Sequence, residues 1–574
     1  MQRPATGHAV VKSTPDHDDT YPAQAPLRDP ETVMRLSRMG SFYPTRLSFM
    51  RTLMRQISGV RVKRPVWDIS AEGFGRAVYS LTLGRFTYSL VAFATPLDPA
   101  NRTDRVIAEA WDATFVLFDG VPAAEDLERL QSETPKQEAG RFSESELVLS
   151  RANKSVRLFE HVTERLAAGQ QPDEDMIRSI GYLLRTTAVY GNGKFGIADR
   201  LRICERPVLS GPFQVELLTV WLIRGFTQDL VEHVAWSRAP DTFVPLERRL
   251  RRYLGVGNST GLGMAPFLVS HPVLINNWML VRETALARVQ AIESADPENI
   301  ERLLALSERV KAHLHEWNVD DTRQQSRIEQ LRVEFGQWSS SLTAERLSSR
   351  YPFAALLQES NDYSEECQEL AVALVLEPHG RLIDGLEECM VSVTHPVLEP
   401  VMTTSSLLSL IEGQWHWALA IDFTDQCETH QFWYVSEDKL EPRLGLRHQE
   451  PGSELESPLD IARQVQSLYR YLKTSPADQS VASLLLEHPE FRFATVRIQA
   501  LEQYPYGEIR DNLIGHNCLP IDMLRCKLSF FGAAKFDPRS DRWTRITLYQ
   551  GAPLLDELDG DVDDWWLPTL ASTA

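Results

Sequence analysis

Three glycines, an asparagine and a lysine lie together in Tyr190-Gly191-Asn192-Gly193-Lys194-Phe195-Gly196. Glycines let backbone amides turn inward around an anion, and an ammonium group reinforces them. Tyr190, Asn192, Gly193 and Lys194 are therefore candidate ligands for a carboxylate or phosphate. The glycines also fit G-x-G-x-x-G. That dinucleotide fingerprint needs a strand before it, and the pattern here predicts a helix over 173–190. A glycine cap and loop would also fit, although it would need fewer special residues than are present.

A second loop reads Gly255-Val256-Gly257-Asn258-Ser259-Thr260-Gly261-Leu262-Gly263-Met264. Asn258 and Thr260 are candidate ligands, and Ser259 is a candidate proton-transfer group. Gly257 to Gly261 matches G-x-S-x-G, but a nucleophile elbow follows a strand and the pattern predicts a helix ending at Leu254. A serine in a Gly/Ser-rich loop resembles the base of helical-bundle lyases of the fumarase and aspartase kind. Their Met-Pro-x-Lys signature is missing here, so the likeness is one of analogy.

Between the loops, Phe213 to Trp236 reads as a long apolar helix interrupted by Glu216, Arg224, Asp229, Glu232 and His233. Charges within an apolar helix must pair or line a cavity, which draws notice to Glu216 and Arg224. Asp229 and His233 are spaced to meet on one face, and a carboxylate beside an imidazole tunes a general base. An exposed ion pair would have the same spacing.

Cys427, His430, His516 and Cys518 form a chemically adequate zinc set, but their spacing is not that of a common finger. The mixed charges of 504–545 suit either an anion site or a surface laced with ion pairs. Walker, HExxH, EF-hand and kinase signatures are absent.

These residues need elements to position them. Trp67 to Leu97 reads as a hairpin about Gly84-Arg85. Helices are expected at 46–57, 104–119, 143–169 (with Ser143 and Glu146 as a capping box), 246–254, 272–292, 297–317 and 322–338. Beyond 366 the types mix: helices at 366–376, 382–391 and 459–472, and strands at 415–422, 431–435, 491–497 and 543–549. The expected class is α+β and predominantly helical. The expected layout is a disordered tail (1–30), a basic helix with a β-hairpin region (31–135), a helical central domain (136–365), an α+β C-terminal domain (366–555) and an acidic tail (556–574).

The 574 residues carry a formal charge of −19 with 43% hydrophobic residues, which excludes a disordered chain. No apolar run approaches a membrane span, and the polar start does not resemble a secretory signal. Scattered cysteines suit a reducing cytoplasm. The charge is uneven. From Val33 to Trp67 there are basic residues and no acid, whereas 556–564 is acidic before Trp565 and Trp566. The basic segment and the strongly acidic remainder of the chain should attract each other, within a chain or between chains of an oligomer. Nucleic acid is disfavoured as a partner. The expectation is a cytoplasmic, homo-oligomeric metabolic enzyme, lyase- or hydrolase-like, acting on a small anion by acid–base chemistry. A non-catalytic scaffold and a haem or metal oxidoreductase are the alternatives, and the sequence specifies no cofactor.

Overall fold

The computed structural model describes residues 26–98, 100, 111–134, 143–186, 206, 208–209, 211, 213–258, 271–391, 396–422, 432–436, 442–445, 456–458, 461–510, 522, 525–533, 535–538 and 544–570. The chain is a mixed α+β protein. Its centre is a nine-stranded sheet. The strands are β1 (Lys63–Ile69), β2 (Gly75–Leu83), β3 (Phe86–Ala94), β4 (Ala113–Asp119), β5 (Glu146–Lys154), β6 (Tyr182–Thr186), β7 (Gly255–Asn258), and, after a separate three-stranded sheet of β8 (Phe432–Ser436), β9 (Pro442–Gly445) and β10 (Glu456–Pro458), β11 (Lys535–Pro538) and β12 (Thr544–Leu548). The order in the large sheet is β1-β2-β3-β4-β5-β6-β7-β12-β11. Every pairing is antiparallel except β6 with β7. One sheet thus gathers strands from three of the segments into which the sequence was divided.

Among the described residues there are fifteen α-helices of six or more residues, numbered here in chain order. On one face lies α2 (Ala124–Glu133), which follows α1 (Phe49–Gln56) in the chain. Leu127 and Leu130 of α2 pack against Val78, Val91, Phe93, Val116 and Phe118. Next come α3 (Leu158–Ala167), α4 (Glu174–Ile180), α5 (Gln214–Arg238) and α6 (Arg248–Tyr253). The 25-residue α5 crosses the other face, where Phe226 meets Trp67, Tyr79 and Phe115 edge-on or tilted. A helical body follows: α7 (Pro272–Gln290), α8 (Pro297–Glu316), α9 (Thr322–Ser339), α10 (Pro352–Ser360) and α11 (Glu365–Leu376). Its side chains share a continuous core with the sheet and with 549–570. Four further helices, α12 (Thr404–Gln414), α13 (Ala462–Leu472), α14 (Val481–Glu487) and α15 (Arg492–Gln503), enclose a core of their own around Trp415, Leu468 and Ile498.

Several expected elements differ. The helix expected at 143–169 is β5 followed by α3. Leu147 and Leu149 alternate with Val148 and Ser150 at a strand's period, and cross-strand packing outweighed the capping signal. The helix expected at 173–190 stops at Ile180. Gly181, at φ 79°, turns the chain into β6. Part of the helix expected at 104–119 is β4. In the C-terminal region, the strand expected at 415–422 contains a helical turn at His416–Leu419, and that expected at 491–497 belongs to α15.

The basic segment finds its acids within the same chain. Arg38 pairs with Glu365 (3.1 Å), Arg46 with Asp384 (2.7 Å) and Asp563 (3.0 Å), Arg51 with Glu377, and Arg55 with Asp563 (3.0 Å) and Glu387 (3.1 Å). The acidic end is equally engaged. Arg248 binds Asp556 and Glu557, Arg309 binds Asp564, and Trp565 and Trp566 are buried. Among the described residues, no helix is long and apolar enough to cross a membrane.

Candidate active site

The β6–α5–β7 passage is a strand–helix–strand crossover into adjacent parallel strands. In such a unit the connecting helix runs back against the strands, so its N-terminus lies toward their carboxyl ends. A crevice at that edge is where open α/β sheets characteristically bind ligands. The register is Tyr182 with Gly255, Arg185 with Gly257, and Thr186 with Asn258. A Cβ on Gly257 would come 2.6 Å from the Tyr182 ring, so the close approach of the two strands requires glycine there.

Polar side chains concentrate at this edge. Thr186 stands beside Ala152 of β5 on the α5 face, and its Oγ1 bonds Ser150 Oγ at 2.8 Å. Asn258 continues the row and is wholly buried. On the opposite face Arg185 stands beside Asn153, and both are buried. Asn153 Oδ1 accepts the Asp112 amide, while Asp112 accepts the Lys154 amide, each at 2.9 Å.

The first turn of α5 carries Gln214 and Glu216. The helix begins after Phe213, whose backbone is left-handed at φ 61°, an uncommon state for a residue with a Cβ. Glu216 is 6% exposed, and among the described residues no cation pairs with it. Burial pushes its pKa up from 4.5 to about 7, and its own backbone amide offsets only part of that. A carboxyl with that pKa exchanges its proton near neutral pH, which general acid–base catalysis requires. The signal for Glu216 was present in the sequence as a charge within an apolar helix. The signal for Ser150, Asn153, Arg185, Thr186 and Asp112 was not, because their proximity depends on sheet pairing.

The other residues on α5 are placed differently. Asp229 accepts from Tyr79 Oη (2.7 Å), Arg64 (2.8 Å) and Arg251 (2.5 Å). His233 Nδ1 accepts from Trp67 Nε1 (3.4 Å), and Nε2 lies 3.0 Å from the Ser70 carbonyl, which assigns it the proton. Neither bonds the other, so the expected carboxylate–imidazole pair is two clasps on the β1–β2 hairpin. Arg224 donates to the carbonyls of Leu254 (2.7 Å), Pro553 (2.9 Å) and Arg252 (2.7 Å). It is buried, and desolvation, then Arg252, depresses its pKa to about 9. Its donors thus tie the end of α6 to the C-terminal segment.

Asn258 is a strand residue and not part of a loop, so the G-x-S-x-G match does follow a strand. The local glycines had hidden a strand of only four residues. Tyr190, Asn192, Gly193, Lys194, Ser259 and Thr260 lie outside the described residues, as do Cys427, His430, His516 and Cys518. Among the described residues, no group of three or more His, Cys, Asp or Glu side chains is arranged to hold a metal ion. In comparisons with known proteins, the chain matches no family model, no curated protein and no solved structure.

Proposed function

We propose that the chain is an enzyme that acts on a small carboxylate- or phosphate-bearing substrate by acid–base chemistry at the carboxyl edge of β6 and β7. The observation that carries this reading is Glu216, a buried carboxyl with no cationic partner among the described residues and a pKa near 7, in the first turn of the crossover helix. Glu216 takes or gives the proton. The positive end of the α5 dipole favours an anion. Arg185, Thr186 and Asn258 line the edge that receives it. Lys194, Asn192, Gly193 and Tyr190 belong to the proposal as anion ligands on sequence grounds, and Ser259 and Thr260 as further polar groups. Asp229, His233 and Arg224 take structural roles in this reading.

A panel of small carboxylates and phosphate esters, assayed with the purified protein, tests it. Turnover of the substrate found should fall by about a hundredfold or more in Glu216→Gln. It should stay at the parent level in His233→Ala. Full turnover in Glu216→Gln, or no turnover of any panel member, overturns the assignment.

A further inference from the structure

Among the described residues, five aromatic rings meet at the start of α5. Phe49 lies 5.9 Å from Phe213 and 5.4 Å from Trp278, between ring centroids. Phe213 lies 5.6 Å from Phe531, and Trp278 stacks on Phe530 at 5.9 Å with planes 17° apart. A hydrophobic core alone would produce such contacts. At this cluster, three buried polar atoms have no hydrogen-bond partner among the described residues: Gln214 Oε1, Trp278 Nε1 and Ser48 Oγ.

Their placement ties them to the rings. Gln214 Nε2 donates to the Phe49 carbonyl at 3.3 Å, which leaves its oxygen as an idle acceptor beside that residue. Ser48 directly precedes Phe49 at the N-cap of α1, yet its hydroxyl makes no capping bond. Trp278 belongs to the cluster itself and is fully buried. Buried polar groups are seldom left unsatisfied, and each one costs desolvation with no bond in return. Two backbone irregularities coincide with them. Phe530 and Phe531 sit on a π-helical turn, Lys527–Phe531, and such turns recur at functional sites. Phe213 holds its left-handed conformation at the same place.

We infer that this cluster seats the planar ring of a heteroaromatic anion, with Trp278 Nε1 donating to a ring acceptor and Gln214 Oε1 accepting from a ring donor. The inference rests on the acid–base reading of the neighbouring edge. It names the substrate class for it, an anionic group attached to a ring with both a donor and an acceptor. Glu216 lies three residues beyond Phe213, one turn along on nearly the same side of α5, so ring and proton-transfer group can serve one ligand. The rings close on one another in the free chain, so entry requires one of them to swing aside.

The test uses the full chain labelled with fluorotryptophan, with the Trp278 resonance assigned by its loss in Trp278→Phe. The probes are nucleoside monophosphates and nicotinate as heteroaromatic anions, inorganic phosphate as an anion without a ring, and indole as a ring without an anion. At least one heteroaromatic anion should shift the Trp278 resonance, and Gln214→Leu should weaken that binding about tenfold. If Trp278→Phe does not fold, the Gln214→Leu affinity change serves as the second readout. No heteroaromatic anion shifting any tryptophan resonance, while turnover of a carboxylate or phosphate-ester substrate still falls in Glu216→Gln, overturns the ring seat and leaves the acid–base reading intact. A probe that shifts Trp278 equally in the parent and in Gln214→Leu overturns the assigned contact. Ring binding with turnover unaffected by Glu216→Gln supports the seat and removes the acid–base reading.

Discussion

Thr186 and Asn258 face each other at the last paired position of a parallel strand pair, although α5 and α6 intervene between them in the chain. That pairing joins β6 directly to β7 across the passage that carries α5. The chemistry proposed for the chain depends on this arrangement more than on any motif.

Glu216 gives a stability signature that is independent of substrate. Its folded pKa is raised, so its contribution is most favourable below 4.5 and is lost as pH rises through about 7. The difference between those values corresponds to about 3 kcal/mol. Denaturant titrations of the parent and Glu216→Gln at pH values on either side of that window should show the variant gaining relative stability at the higher pH by up to that amount. A gap that does not change with pH would mean that the carboxyl is not held as described.

His379 acts in the opposite direction. It is buried, its Nδ1 donates to the Val375 carbonyl at 2.8 Å, and desolvation lowers its pKa from 6.5. The Phe353 ring meets it edge-on at 4.5 Å, and the Arg46 guanidinium adds positive charge nearby. A depressed folded pKa means stability that is present above 6.5 and lost as pH falls below it. His379→Gln should flatten this acid limb of the stability profile, measured by thermal unfolding across the range.

Asp229 and His233 should prove structural. His233→Ala removes two hydrogen bonds to the β1–β2 hairpin and should cost about 1 kcal/mol per bond. Hydrogen exchange should rise in 63–83 while the rest of the sheet stays protected.

Arg51 and Glu377 are both buried and joined by two hydrogen bonds, with the Asp563 carbonyl accepting a further one at 2.9 Å. Arg51→Met alone takes from the buried Glu377 carboxylate its two hydrogen bonds and should cost about 3–5 kcal/mol. Adding Glu377→Gln should recover part of that loss, and a double-mutant cycle measured by denaturant unfolding gives the coupling. Additive losses would show that the pair is not energetically linked.

The elements legible in the sequence were those with strong local period. The β2–β3 hairpin about Gly84, the helix opened by Asp296-Pro297 and the long α5 all stand where the pattern put them. The strands β6 and β7 were not legible. Tyr182–Thr186 is buried throughout and so does not alternate, and Gly255–Asn258 offers Val256 as its only apolar side chain. Short strands buried on both faces carry little periodicity to separate them from helix or loop. The candidate site inherits that difficulty. Glu216 could be singled out as a misplaced charge, whereas Thr186, Arg185 and Asn153 become neighbours only through pairing. Asp229 and His233 misled because helical spacing fixes which side chains can meet, and the hairpin offered each a better partner.

The insertion of β12 beside β7 has a consequence for the order of events during synthesis. Thr544–Leu548 must be available before β7 has both of its neighbours, and Asp563 must be available before Arg51 and Arg55 have their full set of counter-charges. A ribosome therefore releases the early strands well before the sheet can be completed. Such long-range closure slows folding and leaves β7 with an open edge in the meantime. Until β12 arrives, the edge of β7 away from β6 has no strand to pair with.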